Sequence, residues 1–296
     1  MKKKSVLVTA VCAVAVVALL GKSVRKAAFH ASVRAPREFR AAVTGVEKAG
    51  EGQWFVRKSA VARPVGGNEA YLFRLEKLRA KKVYVIPAGS SGENMVVTSG
   101  RLASGDLILV DPESIHDGAA VSVSSGLDER ALVQLTIDAA IAAVNDASLN
   151  ESMRFVSSNY SDPLGFDFEL IAAFLSRAYK EFSNPYLEVV DSPSVEIQGK
   201  EAVIRGSIRL QAGYRGRRNY LLGGRDSSNT IWMRMEKLPA GWKLVELRGL
   251  RPLGFDERFM KLLGAEVGLR LSTGEKAEKE QFCMPCRSKM AEKFRD

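Results

Sequence analysis

The sequence predicts an α+β fold with three parts: an N-terminal membrane helix, a small antiparallel β-domain, and a domain in which three helices pack against a curved antiparallel sheet, for which a family resemblance given below implies a cone shape. Three patterns carry this prediction. An apolar run lies between basic residues at the N-terminus, short aromatic or β-branched runs with glycine turns follow, and amphipathic helical patterns precede alternating strands. The predicted segments are a membrane anchor or signal at 1–26, a linker at 27–49, the β-domain at 50–125, the cone-shaped domain at 128–255, and a charged tail at 256–296.

Charge separates the N-terminus from the rest of the chain. The 296 residues carry a formal net charge of +10, but the first 48 hold ten Lys or Arg against two Asp or Glu. The remaining residues are therefore close to neutral, which argues against nucleic acid as a partner. Three cysteines are too few for a disulfide framework, and two histidines leave little material for histidine catalysis or metal binding. We therefore predict no cofactor, no metal site and no catalytic residue.

The N-terminal segment favours a membrane anchor. Its apolar run spans Val6 to Leu20, which as a helix reaches about 22 Å against a hydrocarbon core of about 30 Å. Flanking lysines can snorkel, so an uncleaved anchor remains the favoured interpretation, while a cleaved signal and a buried core helix stay open. Because lysines flank the apolar run on both sides, the positive-inside rule does not decide the orientation of the anchor in the membrane. We adopt an anchor in the bacterial inner membrane, in contact with its lipid through a single span, with the body in the periplasm.

Short strands with frequent glycine turns predict the β-domain. The stretches WFVRKSAVARPVGGNEAYLFRLEKLRAKKVYV and ENMVVTSGRLASGDLILVDPESIHDGAAVSV contain a Ser99–Asp106 turn, a strand, and then Asp117 and Gly118. Asp106 can bond the amides of its own turn. This order resembles the C-terminal part of periplasmic adaptor (membrane fusion) proteins of efflux pumps. The chain has no room for the helical hairpin of a full adaptor, so the resemblance implies a shortened module beside an inner-membrane transporter. A generic β-module remains the alternative.

Helical patterns open the next region. They predict helices from Asp128 to about Asn145, from Ser148, and from about Asp167 to Phe182, followed by five strands between 186 and 248. The order resembles the nuclear transport factor two-like (SnoaL-like, cystatin-like) superfamily. That resemblance implies a cone whose mouth can bind ligands or host catalysis, or a sheet that dimerises. Four side chains are candidates for such a cone pocket: Tyr160, Asp162, Tyr179 and Trp232. Packing of the aromatic rings in the core, and a turn role for Asp162, are the competing interpretations.

Two shorter features remain. A basic run lies at Arg215 to Arg218, beside tyrosines. This pattern indicates a solvated hairpin tip, or a contact with phospholipid or a partner protein. Cys283 and Cys286 in the tail suggest a local or inter-subunit disulfide in an oxidising periplasm. A redox pair, half of a zinc site and a plain tail are the alternatives.

Together these features predict a non-catalytic, membrane-anchored periplasmic accessory or adaptor-like protein of an efflux or export system. Such a protein would act by binding a transporter or a ligand. A small-molecule-binding or SnoaL-like enzymatic domain in the cell envelope is the first alternative. A structural envelope protein that forms homo-oligomers is the second.

Overall fold

A computed structural model describes residues 36–63, 69–163 and 165–250. The predicted anchor at 1–26 and the tail with Cys283 and Cys286 lie outside the described residues. Within the described ranges, no helix is both long enough and apolar enough to cross a bilayer.

The first part of the described chain is an eight-stranded sheet. Its strands run in the order β2-β3-β6-β5-β4-β7-β1-β8, and β8 also pairs with β5. Strands β1, β7, β4, β5 and β8 therefore close into a ring, while β6, β3 and β2 continue from the far half of β5. The strands are β1 (Glu38–Gly45), β2 (Glu47–Gly50), β3 (Gln53–Arg57), β4 (Ala70–Glu76), β5 (Arg79–Ser91), β6 (Asn94–Thr98), β7 (Leu107–Leu109) and β8 (Ala120–Ser125).

The sequence pattern missed β1 and β2, which lie within the range predicted as a linker. Strand β1 buries only Ala41 and Val43, and its strand-forming residues Phe39, Val43 and Thr44 do not form a continuous aromatic or β-branched run. Its parallel pairing with β8 joins residues about 80 positions apart, so the sequence around β1 gives no signal of this pairing. The Asp106 turn forms as predicted, since the Ala103 amide donates to Asp106 Oδ2 at 2.8 Å.

The second part is an α+β region, as the sequence predicts. Asp128 caps the first helix by accepting a hydrogen bond from the Ala131 amide at 2.7 Å, and Asp167 caps the third by accepting from the Leu170 amide at 2.9 Å. Its elements are α1 (Glu129–Asn145), α2 (Leu149–Arg154), α3 (Phe168–Glu181), β9 (Ser183–Val189), β10 (Ser194–Gln198), β11 (Glu201–Tyr214), β12 (Arg217–Leu222), β13 (Asn229–Leu238) and β14 (Gly241–Arg248).

The long strand β11 organises this second sheet. Its first half pairs with β10 and β13, its second half pairs with β9 and β12, and β14 pairs with β13. All these pairings are antiparallel. The sequence pattern missed β12 because its first three residues, Arg217 to Asn219, are polar and exposed. A two-residue turn with positive φ at Arg215 (51°) and Gly216 (75°) joins β11 to β12, as in tight hairpins.

The two regions share a hydrophobic core through α1. One side of this helix places Ala139 and Ala143 among buried residues of the ring, and Phe155 joins the same cluster. Another side packs Val133 and Ile137 against the second sheet. The ring residues in the shared cluster come from all five of its strands: Ala41, Val43, Phe73, Leu75, Ala80, Leu109 and Val121. Helix α1 therefore packs against both regions, while a further buried cluster, which includes Leu72, Val83 and Ile108, lies wholly within the first region.

Candidate functional site

Tyr160, the first predicted pocket residue, is part of the packed core. Its side chain is 2% exposed and lies with Phe166 against Leu170, Phe174 and Leu247. Segment 155–161, which contains it, runs along β14 and hydrogen-bonds to it through Ser157 and Ser161. The phenol is thus held between the sheet and α3, with little surface open to solvent.

Asp162 organises the turn that leads into α3. Its Oδ2 accepts a hydrogen bond from the Tyr160 hydroxyl at 2.9 Å, and its Oδ1 accepts one from the Phe166 amide at 2.9 Å. Burial, together with the neighbouring Asp162 carboxylate, raises the pKa of Tyr160 far above its usual range. The phenol therefore stays neutral and donates a hydrogen bond, and this pair stabilises the turn.

Tyr179 lies elsewhere in the helical layer. Its hydroxyl is 2.8 Å from the Ser152 hydroxyl of α2. Burial raises the pKa of Tyr179, and the hydrogen bond with Ser152 partly opposes that shift. The bond ties α3 to α2.

Trp232 lies on the other face of the sheet. Its neighbours along β13, Ile231 and Met233, point into the core, and successive side chains of a strand alternate between faces. The Arg248 guanidinium lies 4.8 Å from the centre of the Trp232 ring. The structure therefore brings Tyr160 and Asp162 together, but it does not place Trp232 in a pocket with them.

Arg154 forms a buried polar centre between the two regions that sequence reasoning missed. Its side chain is only 2% exposed. Its Nε donates to Glu38 Oε1 of β1 at 2.8 Å, and its terminal nitrogen donates to the carbonyls of Leu78 (3.1 Å) and Val121 (2.8 Å). One guanidinium at the end of α2 thus bonds three separate points of the ring. No neighbouring residue in the sequence marks Arg154 as buried, because its partners are distant along the chain.

Lys243 and Glu151 extend this centre. Lys243 Nζ donates to Glu38 Oε1 at 3.1 Å and to the Arg154 carbonyl at 2.7 Å. Burial lowers the pKa of Lys243, while the Glu38 carboxylate opposes that shift. Glu151 bridges Arg154 at 3.3 Å and Arg79 of β5 at 2.5 Å. Glu38, Glu151, Arg154 and Lys243, with Arg79 at the rim, are called the interdomain ion cluster below.

A small cavity adjoins the interdomain ion cluster. Its volume is about 30 Å³, which has room for one or two water molecules and no larger ligand. Glu38, Arg154 and Lys243 line it from the cluster, and Thr136, Lys237 and Trp242 line it from the second region. Trp242 Nε1 donates to Glu129 at 3.1 Å, and Lys237 pairs with the same carboxylate. The cavity is therefore lined by polar residues of the interdomain ion cluster on one side and by polar contacts within the second region on the other.

The Tyr160 hydroxyl and the Asp162 carboxylate form hydrogen bonds within the 160–166 turn, and the Arg154 guanidinium joins distant chain segments. In the interdomain ion cluster, Glu38 Oε2 is buried and has no hydrogen-bond partner within the part of the chain that the structure describes. Among the described residues, no group of three or more His, Cys, Asp or Glu side chains is arranged to hold a metal ion.

Comparison with known proteins gives partial likenesses of fold. No family model matches the chain, and no curated protein matches it in sequence. A nuclear transport factor 2 (NTF2-like) superfamily protein from Salmonella enterica is 18% identical, with 41% of this chain and 90% of that chain covered and a TM-score of 0.33. An NTF2-like protein with a cystatin-like fold from Novosphingobium aromaticivorans is 16% identical, with 46% and 88% covered and a TM-score of 0.34. The α+β class of residues 128–250 is established by its own helices and strands.

The buried phenols give a prediction for alkaline titration. We expect Tyr160 and Tyr179 to ionise above the usual range of a tyrosine, because burial raises both pKa values. Since the Tyr160 pKa of the folded protein lies above its unfolded value near 10, stability is intact below that pH and falls as pH rises further. Phenolate absorbance followed against pH should show two phenols that ionise above that range, and one in Tyr160→Phe. Ionisation of every phenol within the usual range in the folded protein would contradict this.

Proposed function

We propose that this chain is a non-catalytic, membrane-anchored accessory protein of the bacterial inner membrane, which binds a transporter of an efflux or export system with its periplasmic body. The observation that carries the binding role is the packed and hydrogen-bonded joint between its two regions. A shared core and the interdomain ion cluster hold the ring and the second sheet in one arrangement. A protein that presents two surfaces at once gains affinity when they are pre-positioned, because less freedom is lost on binding.

The structural hydrogen bonds of Tyr160 and Asp162 support a non-catalytic role. General acid–base catalysis needs a group within reach of a substrate and with a pKa near the working pH. Tyr160 has neither, because it is buried and its pKa is raised far above neutrality. The N-terminal apolar run between lysines supports the anchor, and the adaptor resemblance at 50–125 supports the class of partner.

The β-region also offers a surface for that partner. Tyr84 and Ile86 are 53% and 71% exposed, and both project from the same face of β5. Large apolar side chains that remain this exposed commonly mark contact sites when they are adjacent. We propose that this pair, called the β5 patch, contacts the transporter.

Affinity capture from detergent-solubilised membranes tests the proposal. Tagged full-length protein should recover an inner-membrane transporter, and Ile86→Asp in the β5 patch should lower that recovery at least about tenfold, as expected for loss of a contact residue at an interface centre. Ser90→Asp is the matched control, since it adds the same charge at an exposed position on the same strand. Recovery of no transporter, or equal losses in the two variants, would count against the proposal.

A further inference from the structure

The strongest unassigned surface lies at the end of the β11–β12 hairpin. Residues 202–225 contain six arginines and no Asp or Glu. Arg215, Arg217 and Arg218 are exposed at the hairpin tip, and within the described ranges none of the three forms an ion pair with an acidic side chain. By contrast, Arg209, further along β11, pairs with Glu188 at 3.2 Å. The tip is therefore an uncompensated positive surface on a region that is otherwise nearly neutral.

Tyrosines accompany these arginines. The Arg218 guanidinium lies 5.6 Å from the ring centre of Tyr186 on β9, and the Arg215 guanidinium lies 5.2 Å from that of Tyr214. Tyr186 is 45% exposed. Arginine and tyrosine together suit the boundary between water and lipid, where a cation meets phosphate and an amphipathic ring lies at headgroup depth. The three exposed arginines and Tyr186 are called the hairpin tip surface below.

The backbone holds this surface in one shape. The tight turn at Arg215 and Gly216 joins two strands in register, with Tyr214 opposite Arg217 and Gly213 opposite Arg218. Strand β9 supports the same tip, since Gly213 is also opposite Ser183. Among the described strands β12 pairs only with β11, so its other edge is free. The arginines thus project from a paired backbone, which needs little further ordering when the hairpin meets a flat charged surface.

We infer that the hairpin tip surface binds the headgroups of anionic phospholipids, giving the body a second contact with the bilayer. Charge complementarity favours this occupant, because each arginine close to an anionic leaflet tightens binding about fivefold. Chain length allows it. Residues 27–37, between the predicted anchor at 1–26 and β1, can extend by at most about 40 Å, so a bilayer holding that anchor stays within reach of the body. The inference requires no export partner.

Hydrogen exchange of the full-length protein in lipid nanodiscs tests this inference. Exchange of the amides from 214 to 220 should be slower in discs that contain phosphatidylglycerol than in discs of phosphatidylcholine alone. The triple variant Arg215→Ser, Arg217→Ser, Arg218→Ser should lose that difference, and the triple lysine variant should keep it. A matched control removes three exposed cations from the β-region, Arg57→Ser, Lys58→Ser and Arg101→Ser, and should keep the difference as well.

Two results would overturn the inference. One is equal exchange at the hairpin in neutral and anionic discs. The other is protection of the hairpin by a single-stranded oligonucleotide but not by anionic lipid, which would assign the surface to nucleic acid. The readout is local to the hairpin, and the lipid is supplied in the assay. Failure here is therefore distinguishable from failure to capture a transporter through the β5 patch.

Discussion

Replacing Arg154 with methionine should lower the free energy of unfolding by about 3–5 kcal/mol, the loss typical of breaking a buried ion pair from one side. The guanidinium is 2% exposed and bonds Glu38 and the carbonyls of Leu78 and Val121. Methionine fills much of the volume but leaves the carboxylate and the two carbonyls without this donor. Urea unfolding followed by far-ultraviolet circular dichroism measures the change.

Arg57→Met is the matched control for that variant. Arg57 is exposed at the end of β3 and lies outside the interdomain ion cluster, so its replacement should change stability by no more than about 0.5 kcal/mol. A loss below about 1 kcal/mol for Arg154→Met would show that the cluster contributes little to the joint. That magnitude is typical of exposed ion pairs.

Gly126→Ala should cost about 3–5 kcal/mol, because it combines an unfavourable backbone conformation with a direct clash. Gly126 lies between β8 and α1, with φ at +101°. A Cβ atom there would lie 1.9 Å from the carbonyl oxygen of Val43, a distance that requires backbone movement. Since Val43 belongs to the shared core, that movement would disturb the joint itself. Thermal unfolding of the purified variant measures the loss.

Gly118→Ala separates the two parts of that effect. Gly118 also has positive φ, at +78°, but a Cβ atom there would have no other atom within 4 Å. Its replacement should therefore cost only the conformational term of about 1–2 kcal/mol. Equal losses for the two alanine variants would mean that the close approach to Val43 is relieved without cost.

Features that depend on neighbouring residues could be predicted from the sequence. The helix starts at Asp128 and about Asp167 could be predicted because a cap bonds an amide only three residues away. The Asp106 turn was recognisable for the same reason. The α+β class followed from such local signals, read in order along the chain.

Features that depend on distant contacts could not be predicted in this way. Arg154 and Glu38 are 116 positions apart, so nothing near Arg154 in the sequence marks it as buried. Trp232 lies in a segment correctly predicted as a strand. The face of the sheet on which its ring lies depends on the packing of Met233 and Met235 against α1, which is a distant contact. Strand β1 is recognisable only through β7 and β8, its partners more than 60 residues further along the chain.

The central claim is that the ring and the second sheet form one cooperative body, on which both proposed contact surfaces are held. Native-state hydrogen exchange at increasing denaturant tests this most directly. Amides of buried core strands in the ring, such as Leu72 and Val83, should open with the same free energy as those of Ala202 and Ile204 in the second sheet. A difference of more than about 2 kcal/mol between the two sets would show that the regions unfold separately and would contradict the claim.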